Sequence, residues 1–202
     1  MTQPADHSIT ITGYENLIER LEVEVSGQTL MIRLKPGSYF RNNVKAVIGM
    51  PELNKLVVSG ASRGIAEGFT SADDFALEVS GASSVEMDME AGNIAADISG
   101  ASTVTGELKA QDARLIVSGA SRCELTGAAG DTDLNVSGAS RANLLQFQMQ
   151  NADVNISGAS QATINVTGTL NVDISGASSL EYTGDAVLGR VNVTGASRIS
   201  SK

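Results

Sequence analysis

The sequence predicts an all-β chain folded as a single-stranded parallel β-helix (β-solenoid) of about 19 residues per coil. Three observations predict it. A four-residue motif returns eight times at near-constant spacing, apolar and polar residues alternate on both sides of it, and glycine and small aliphatic residues dominate while aromatics reach only 3%. The 202 residues, 42% of them hydrophobic, suffice for one sizeable core. With 21 Gly and no Trp, that core has to be built from Val, Ile, Leu, Ala and Met, side chains uniform enough to stack.

Residues 1–55 come first and do not follow the repeat. Glu15 to Arg20 reads as a helical turn and Leu21 to Val25 as a strand. Ser26-Gly27-Gln28 then turns the chain into a second strand, Leu30 to Leu34, which Pro36-Gly37 ends. Val44 to Ile48 begins another strand before Pro51. This stretch is expected to be the irregular, capping part of one solenoid domain spanning 1–202, with the repeats in 56–202.

The repeats are Ser-Gly-Ala-Ser starting at Ser59, Ser80, Ser99, Ser118, Ser137, Ser157 and Ser175, then Thr-Gly-Ala-Ser at Thr194, spaced 21, 19, 19, 19, 20, 18 and 19 residues apart. The residues three and one before each motif are apolar in every copy, from Leu56 and Val58 to Val191 and Val193. Most residues between them are polar, as are Glu78, Asp97 and Asn135. A period of two means a strand. Beyond the motif the alternation resumes, with Gly64, Val85, Val104, Cys123, Ala142, Ala162, Leu180 and Ile199 five residues past each start. One coil therefore reads strand, glycine-containing corner, strand and a variable return. It cannot bury its apolar face alone, whereas stacking coils at ~4.8 Å closes a shared core. An antiparallel sandwich also uses short strands and regular turns. It has no need of the same four residues at every corner.

Gly admits backbone angles closed to other residues at a tight bend, and the serine hydroxyls can satisfy polar groups where the ladder turns. A nucleophile is needed once, and this serine occurs in every coil. The motif is thus read as structural.

The tandem Val-Ser-Gly-Ala-Ser corners from Val58 to Ser197, preceded by Glu15-Asn16-Leu17, Val23-Glu24-Val25 and Leu30-Met31-Ile32-Arg33, resemble the bacterial head GIN domain family of autotransporter-like adhesins. The resemblance covers nearly the whole chain. It implies a β-helix similar in architecture to pectin lyase-like folds, without their catalytic residues, and a role in cell adhesion at the cell envelope or surface. Members usually carry an export or lipoprotein signal and an additional N-terminal strand region, neither of which is read here. Met1 to Asp6 shows no basic n-region or apolar h-region.

The formal net charge of −9 repels phosphate backbones and anionic membranes, so nucleic acid is excluded as a partner class. No run approaches the ~20 apolar residues of a membrane-spanning helix. The one cysteine, Cys123, cannot form an internal disulfide, and its register places it in the core. His7 is the only histidine and lies at the start of the chain, which leaves no base for a Ser/His/Asp or Cys/His arrangement and no His/Cys metal cluster. The calcium-binding nonapeptide pattern is absent, the hexapeptide acyltransferase repeat and histidine do not match, and the sequons at Asn135, Asn155, Asn165 and Asn192 follow from the repeat itself. No catalytic, cofactor-binding or metal residue is predicted, and no cofactor.

Two outward features remain. Glu78 and Asp97 occupy equivalent positions in adjacent coils, and Glu86 and Asp88 flank Met87. They read as a solvated acidic face, with a catalytic or calcium-binding pair as the sharper alternative. Four residues past the motif starts runs a row of Arg63, Ser84, Thr103, Arg122, Arg141, Gln161, Ser179 and Arg198, in which Arg122 and Arg141 are one coil apart. This cationic stripe could grip an acidic glycan or a carboxylate-rich protein, or simply pair with nearby acids.

The leading functional expectation is a non-enzymatic binding or structural module that meets an unknown surface ligand, glycan or protein. The alternatives are a carbohydrate-active enzyme using the acidic face, and a polymerising β-helical scaffold. The last coil, ending near Ile199, is expected to self-associate as a homo-oligomer or to be covered by Arg198 to Lys202 folding across it.

Overall fold

The computed structural model describes residues 1–4, 6–37 and 43–202, which divide into two compact units, Gln3–Pro51 and Glu52–Lys202. In the first, β1 (Ser8–Gly13) precedes the single turn α1 (Glu15–Ile18), followed by β2 (Leu21–Ser26), β3 (Thr29–Leu34) and β4 (Val44–Gly49). β2 and β3 form an antiparallel hairpin, and β1 pairs antiparallel with β4. The expected turn and three strands are all present. β1 escaped the sequence reading although Ser8-Ile9-Thr10-Ile11-Thr12 alternates; its partner is 31 to 41 positions away at the ends of the ladder, Gly13 facing Val44 and Ser8 facing Gly49.

The second unit is the solenoid. Its strands are β5 (Lys55–Val58), β6 (Arg63–Thr70), β7 (Phe75–Val79), β8 (Ser84–Glu90), β9 (Asn93–Ile98), β10 (Thr103–Lys109), β11 (Asp112–Val117), β12 (Arg122–Val136), β13 (Arg141–Ile156), β14 (Gln161–Val166), β15 (Thr169–Ile174), β16 (Ser179–Thr183), β17 (Val187–Val193) and β18 (Arg198–Ser201). The strands before the motif stack in parallel as β5-β7-β9-β11-β12-β13-β15-β17. Those after it stack as β6-β8-β10-β12-β13-β14-β16-β18. β12 and β13 belong to both ladders, because in those coils the chain bends through the return without leaving the strand conformation. Every pairing in this unit is parallel, which removes the sandwich alternative.

Departures from 19 in the motif spacing become bulges. The 21-residue first interval is accommodated between Ala66 and Phe69, and the step from a 20-residue to an 18-residue interval between Leu144 and Gln148. At this second bulge Leu145 has no register partner on either side, Gln146 keeps its pairing with Thr126, and Phe147 turns into the core. The inward register is as the sequence predicts: the fourth coil buries Ala113, Leu115, Val117, Cys123 and Leu125. Each large aliphatic buried this way contributes about 1.5–3 kcal/mol.

At the corner, each coil hydrogen-bonds the one before through the motif. Ala139 N–H donates to Gly119 O at 2.7 Å, and Ala159 N–H to Gly138 O at 2.8 Å. Gly138 has φ +79°, and a Cβ built on it would stand 2.4 Å from Gly119 O. The last serine of the motif turns inward: Ser121 N–H donates to Ser140 Oγ at 3.3 Å, and Ser160 Oγ donates to Gly138 O at 3.3 Å.

One expectation is corrected. Arg198 to Ser201 do not fold across the last coil; they form β18, in parallel register with β16, and Lys202 N–H continues the ladder to Tyr182 O at 2.8 Å. The ladder offers these residues hydrogen bonds that a crossing would forgo.

Gly138→Val is expected to destabilise the protein by about 2–6 kcal/mol, backbone strain and overpacking adding about 1–3 each. Arg141→Ala, three residues away on the outer face, should stay within about 0.5 kcal/mol. Denaturant midpoints measure both, and equal losses would refute the corner assignment.

Cys123 pairs in register with Val104 and Ala142 and is fully buried. Burial, with a smaller push from the Glu124 charge, raises its thiol to about 12. The folded state therefore keeps a proton that the unfolded chain releases above about 9, the ordinary thiol value. The stability this group contributes is complete below pH 9 and is lost between about 9 and 12, at a slope approaching about 1.4 kcal/mol per pH unit. Unfolding free energies of wild type and Cys123→Ala, compared from pH 8 upward, should converge over that window. Native labelling by a thiol reagent at pH 8 should be slow.

Candidate functional site

The outward row past the corner forms a shallow groove. Arg122 on β12, Arg141 on β13 and Gln161 on β14 stand side by side in register, so their side chains rise from one face at the ~4.8 Å ladder spacing. Small neighbours set the floor and the Leu145 bulge forms one wall, leaving a volume of about 280 Å³ that Glu181 and Lys202 also line. The irregular 20-residue interval thus shapes the groove, and the sequence reading of the row did not foresee it.

The charges in the groove are unequally compensated. Arg122 Nε meets Glu124 Oε1 of its own strand at 2.9 Å, and Lys202 Nζ lies 4.0 Å from Glu181 Oε1. Arg141 is held by a neutral group: its Nε and Nη2 donate to Gln161 Oε1 at 3.2 and 2.9 Å. The amide orients the guanidinium without cancelling its charge. A carboxylate entering here would meet a planar, pre-positioned donor set, which suits bidentate recognition. Elsewhere in the row Arg63 Nη2 pairs with Glu86 Oε2 at 3.2 Å, the bland alternative realised.

The acidic pairs are placed as expected, and one member of each is held in an ion pair. Glu78 and Asp97 face outward on adjacent strands β7 and β9, and Glu78 Oε1 accepts a bond from Lys55 Nζ at 2.6 Å. Glu86 and Asp88 flank the buried Met87, Glu86 being the partner of Arg63. Among the described residues no three His, Cys, Asp or Glu side chains converge as a metal site. His7 lies exposed just before β1.

A second, longer groove of about 650 Å³ runs along the start of the strands before the motif. Its walls carry Asp and Asn six residues before the motif, namely Asp74, Asn93, Asp112, Asp131 and Asn151. Their side-chain oxygens cap backbone N–H groups of the next coil: Asp74 to Asn93, Asp112 to Asp131 and Asn151 to Thr169, at 2.8 to 2.9 Å. This recurrence was readable in the sequence and was missed. It closes the ladder at the bend, the role the serines play at the other corner.

Residues 1–186 match the model of a family described as "Putative auto-transporter adhesin, head GIN domain". No curated protein matches the chain. Among solved structures, a "putative adhesin" from Parabacteroides merdae ATCC 43184 is 19% identical, with 100% of this chain and 86% of that one covered at a TM-score of 0.91. A "Putative lipid binding protein" from Parabacteroides distasonis ATCC 8503 is 21% identical over 100% and 87% of the two chains, with a TM-score of 0.85. A "putative adhesin" from Bacteroides fragilis NCTC 9343 is 19% identical over 100% and 86%, with a TM-score of 0.77. At such identities the likeness is one of fold.

Proposed function

The chain belongs to the head GIN domain family, and from that premise we propose that it is a non-enzymatic binding module of the bacterial envelope or surface, which adheres through its flat outer face to a carboxylate-bearing ligand such as an acidic glycan. The observation that carries this reading is Arg141, an exposed guanidinium oriented by Gln161 and free of a carboxylate partner among the described residues, beside Arg122 in a groove on an otherwise acidic chain. A rigid ladder holds both cations in place before the ligand arrives. Less ordering is then left for binding to cost.

The alternative with a specific observation behind it is an enzyme that acts on polysaccharide with Glu78 and Asp97, which stand one coil apart on an open face. In the preferred reading these carboxylates are structural, since Glu78 is engaged by Lys55. Residues 1–55, with their antiparallel pairs, belong in this reading to one cooperative domain with the solenoid.

Binding of the chain to immobilised polygalacturonate and to a neutral polymer of similar length tests the proposal. Wild type should retain the polyuronate, lose it as salt rises, and release no shortened product. Arg122→Glu combined with Arg141→Glu should weaken binding about tenfold or more, given about 1.5–3 kcal/mol for each charge-assisted bond removed. Undiminished binding by that variant would refute the groove. Turnover abolished by Glu78→Gln or Asp97→Asn would establish the enzyme instead.

A further inference from the structure

The groove around Arg141 is not uniform along its length. Cations of this row take their carboxylates from two places, both two residues further on. One is the same strand, where Arg122 meets Glu124 at 2.9 Å, and the other is the following coil, where Arg63 meets Glu86 at 3.2 Å. For Arg141 those two places hold Asn143 and Thr163, which stand opposite each other in register. Both are polar and neutral, and neither side chain hydrogen-bonds another described residue. The outward row they occupy reads Glu124, Asn143, Thr163 and Glu181 across β12, β13, β14 and β16. Glu124 closes one end of the groove in its pair with Arg122, and Glu181 closes the other beside Lys202. Between these ends lie one guanidinium without a carboxylate, an amide and a hydroxyl beside it, and Leu145 on the wall.

Each feature matches a part of one ligand. Arg141 offers a charge-assisted bond to a carboxylate. Asn143 and Thr163 can each donate and accept, as hydroxyl groups do, so they suit a molecule that carries hydroxyls next to its carboxylate. Leu145 gives an apolar surface to the C–H groups of a ring. A peptide carboxylate is matched less completely. β12, β13 and β14 are paired on both sides here, so the ladder has no open edge to hold a peptide main chain.

We infer that the groove is a subsite for a single acidic sugar residue, a ring with one carboxylate and neighbouring hydroxyls, and not for a run of consecutive uronates. This rests on the reading of the groove as a carboxylate-binding site and narrows its ligand. One cation is open, so one carboxylate is matched. The carboxylates of the residues before and after it would meet Glu124 and Glu181, whose own cations are already engaged. The volume of about 280 Å³ points the same way, lying at the small end of the roughly 300–1,000 Å³ usual for ligand sites. The acidic residue is therefore terminal or isolated between neutral sugars, and polygalacturonate is held through its chain ends.

Amide chemical shifts of the full chain, titrated with galacturonate and with trigalacturonate, test the subsite because they report weak binding residue by residue. Both sugars should shift Arg141, Asn143 and Thr163, with affinities within about threefold of each other. Asn143→Ala combined with Thr163→Val should weaken galacturonate about tenfold, two hydrogen bonds being lost. Glu124→Gln combined with Glu181→Gln should open the ends, so that trigalacturonate binds about tenfold more tightly than galacturonate. All four positions are on the outer face, and unchanged denaturant midpoints would show that the variants remain folded. An affinity that climbs about fivefold or more with each uronate added to wild type, and is still lost in Arg122→Glu with Arg141→Glu, would overturn the single-residue subsite while the binding function stands. So would retention of polygalacturonate with no shift from either small sugar at millimolar concentration. If neither the polymer nor the small sugars bind, both readings fall.

Discussion

One contact spacing governs this molecule. The motif glycine of each coil after the first lies so close to the glycine before it that a single methyl group would sit 2.4 to 2.6 Å from the carbonyl oxygen beneath. That same oxygen accepts the N–H of the following alanine. The hydrogen bond requires the approach and a Cβ would forbid it, so the residue has to be glycine in every coil after the first, quite apart from its positive φ. Because the corners are held at this distance, the strands leading into and out of them are held in register. The buried core is a consequence, since Val stacks on Val and Leu on Leu only if the coils neither slip nor splay.

The constraint reaches the surface as well. An outward residue in a parallel solenoid stands directly over its row neighbour at ~4.8 Å, so charges cannot choose partners freely. Like charges stacked in a row repel; Glu78 still stacks on Asp97 and Asp133 on Asp153, but at four places an amide meets the carboxylate of the coil before. Asn93 donates to Asp74, Asn151 to Asp131, Asn171 to Asp153 and Asn192 to Asp173, each amide lying one coil beyond the carboxylate it quiets. Asn serves because it adds donors without adding charge.

Sequence reading recovers what is periodic and loses what is not. The inward rows, the corner glycines and the placement of Cys123, Arg122 and Arg141 all follow from counting residues from the motif, because a repeat fixes the neighbours of each position without reference to distant contacts. β1 was lost because a lone alternating pentapeptide has no repeat to support it and its partner lies beyond a hairpin. The groove was lost for a related reason: its wall at Leu145 exists because two successive intervals differ in length, and a difference in length becomes geometry only when coils of unequal size are stacked. The fate of Arg198 to Lys202 turned on a competition the sequence does not display, between covering an apolar edge and continuing a hydrogen-bonded ladder. The ladder won, because residues in register satisfy their backbone groups, which a crossing would leave unpaired.

The cations of the row past the corner differ in kind. Arg122 and Arg141 lie in the interior of a row, flanked above and below by coils that fix their positions, so their charges are parts of a finished face. Arg63 and Arg122 each find a carboxylate two residues further on, in the following coil or in their own. At Arg141 both places are neutral, and the Gln161 amide holds the guanidinium without cancelling it. An open charge inside a rigid ladder thus arises where the repeat is free to vary. Outward positions pack against no core, so an acid there can give way to an amide or a hydroxyl while the inward rows and the corner stay as they are.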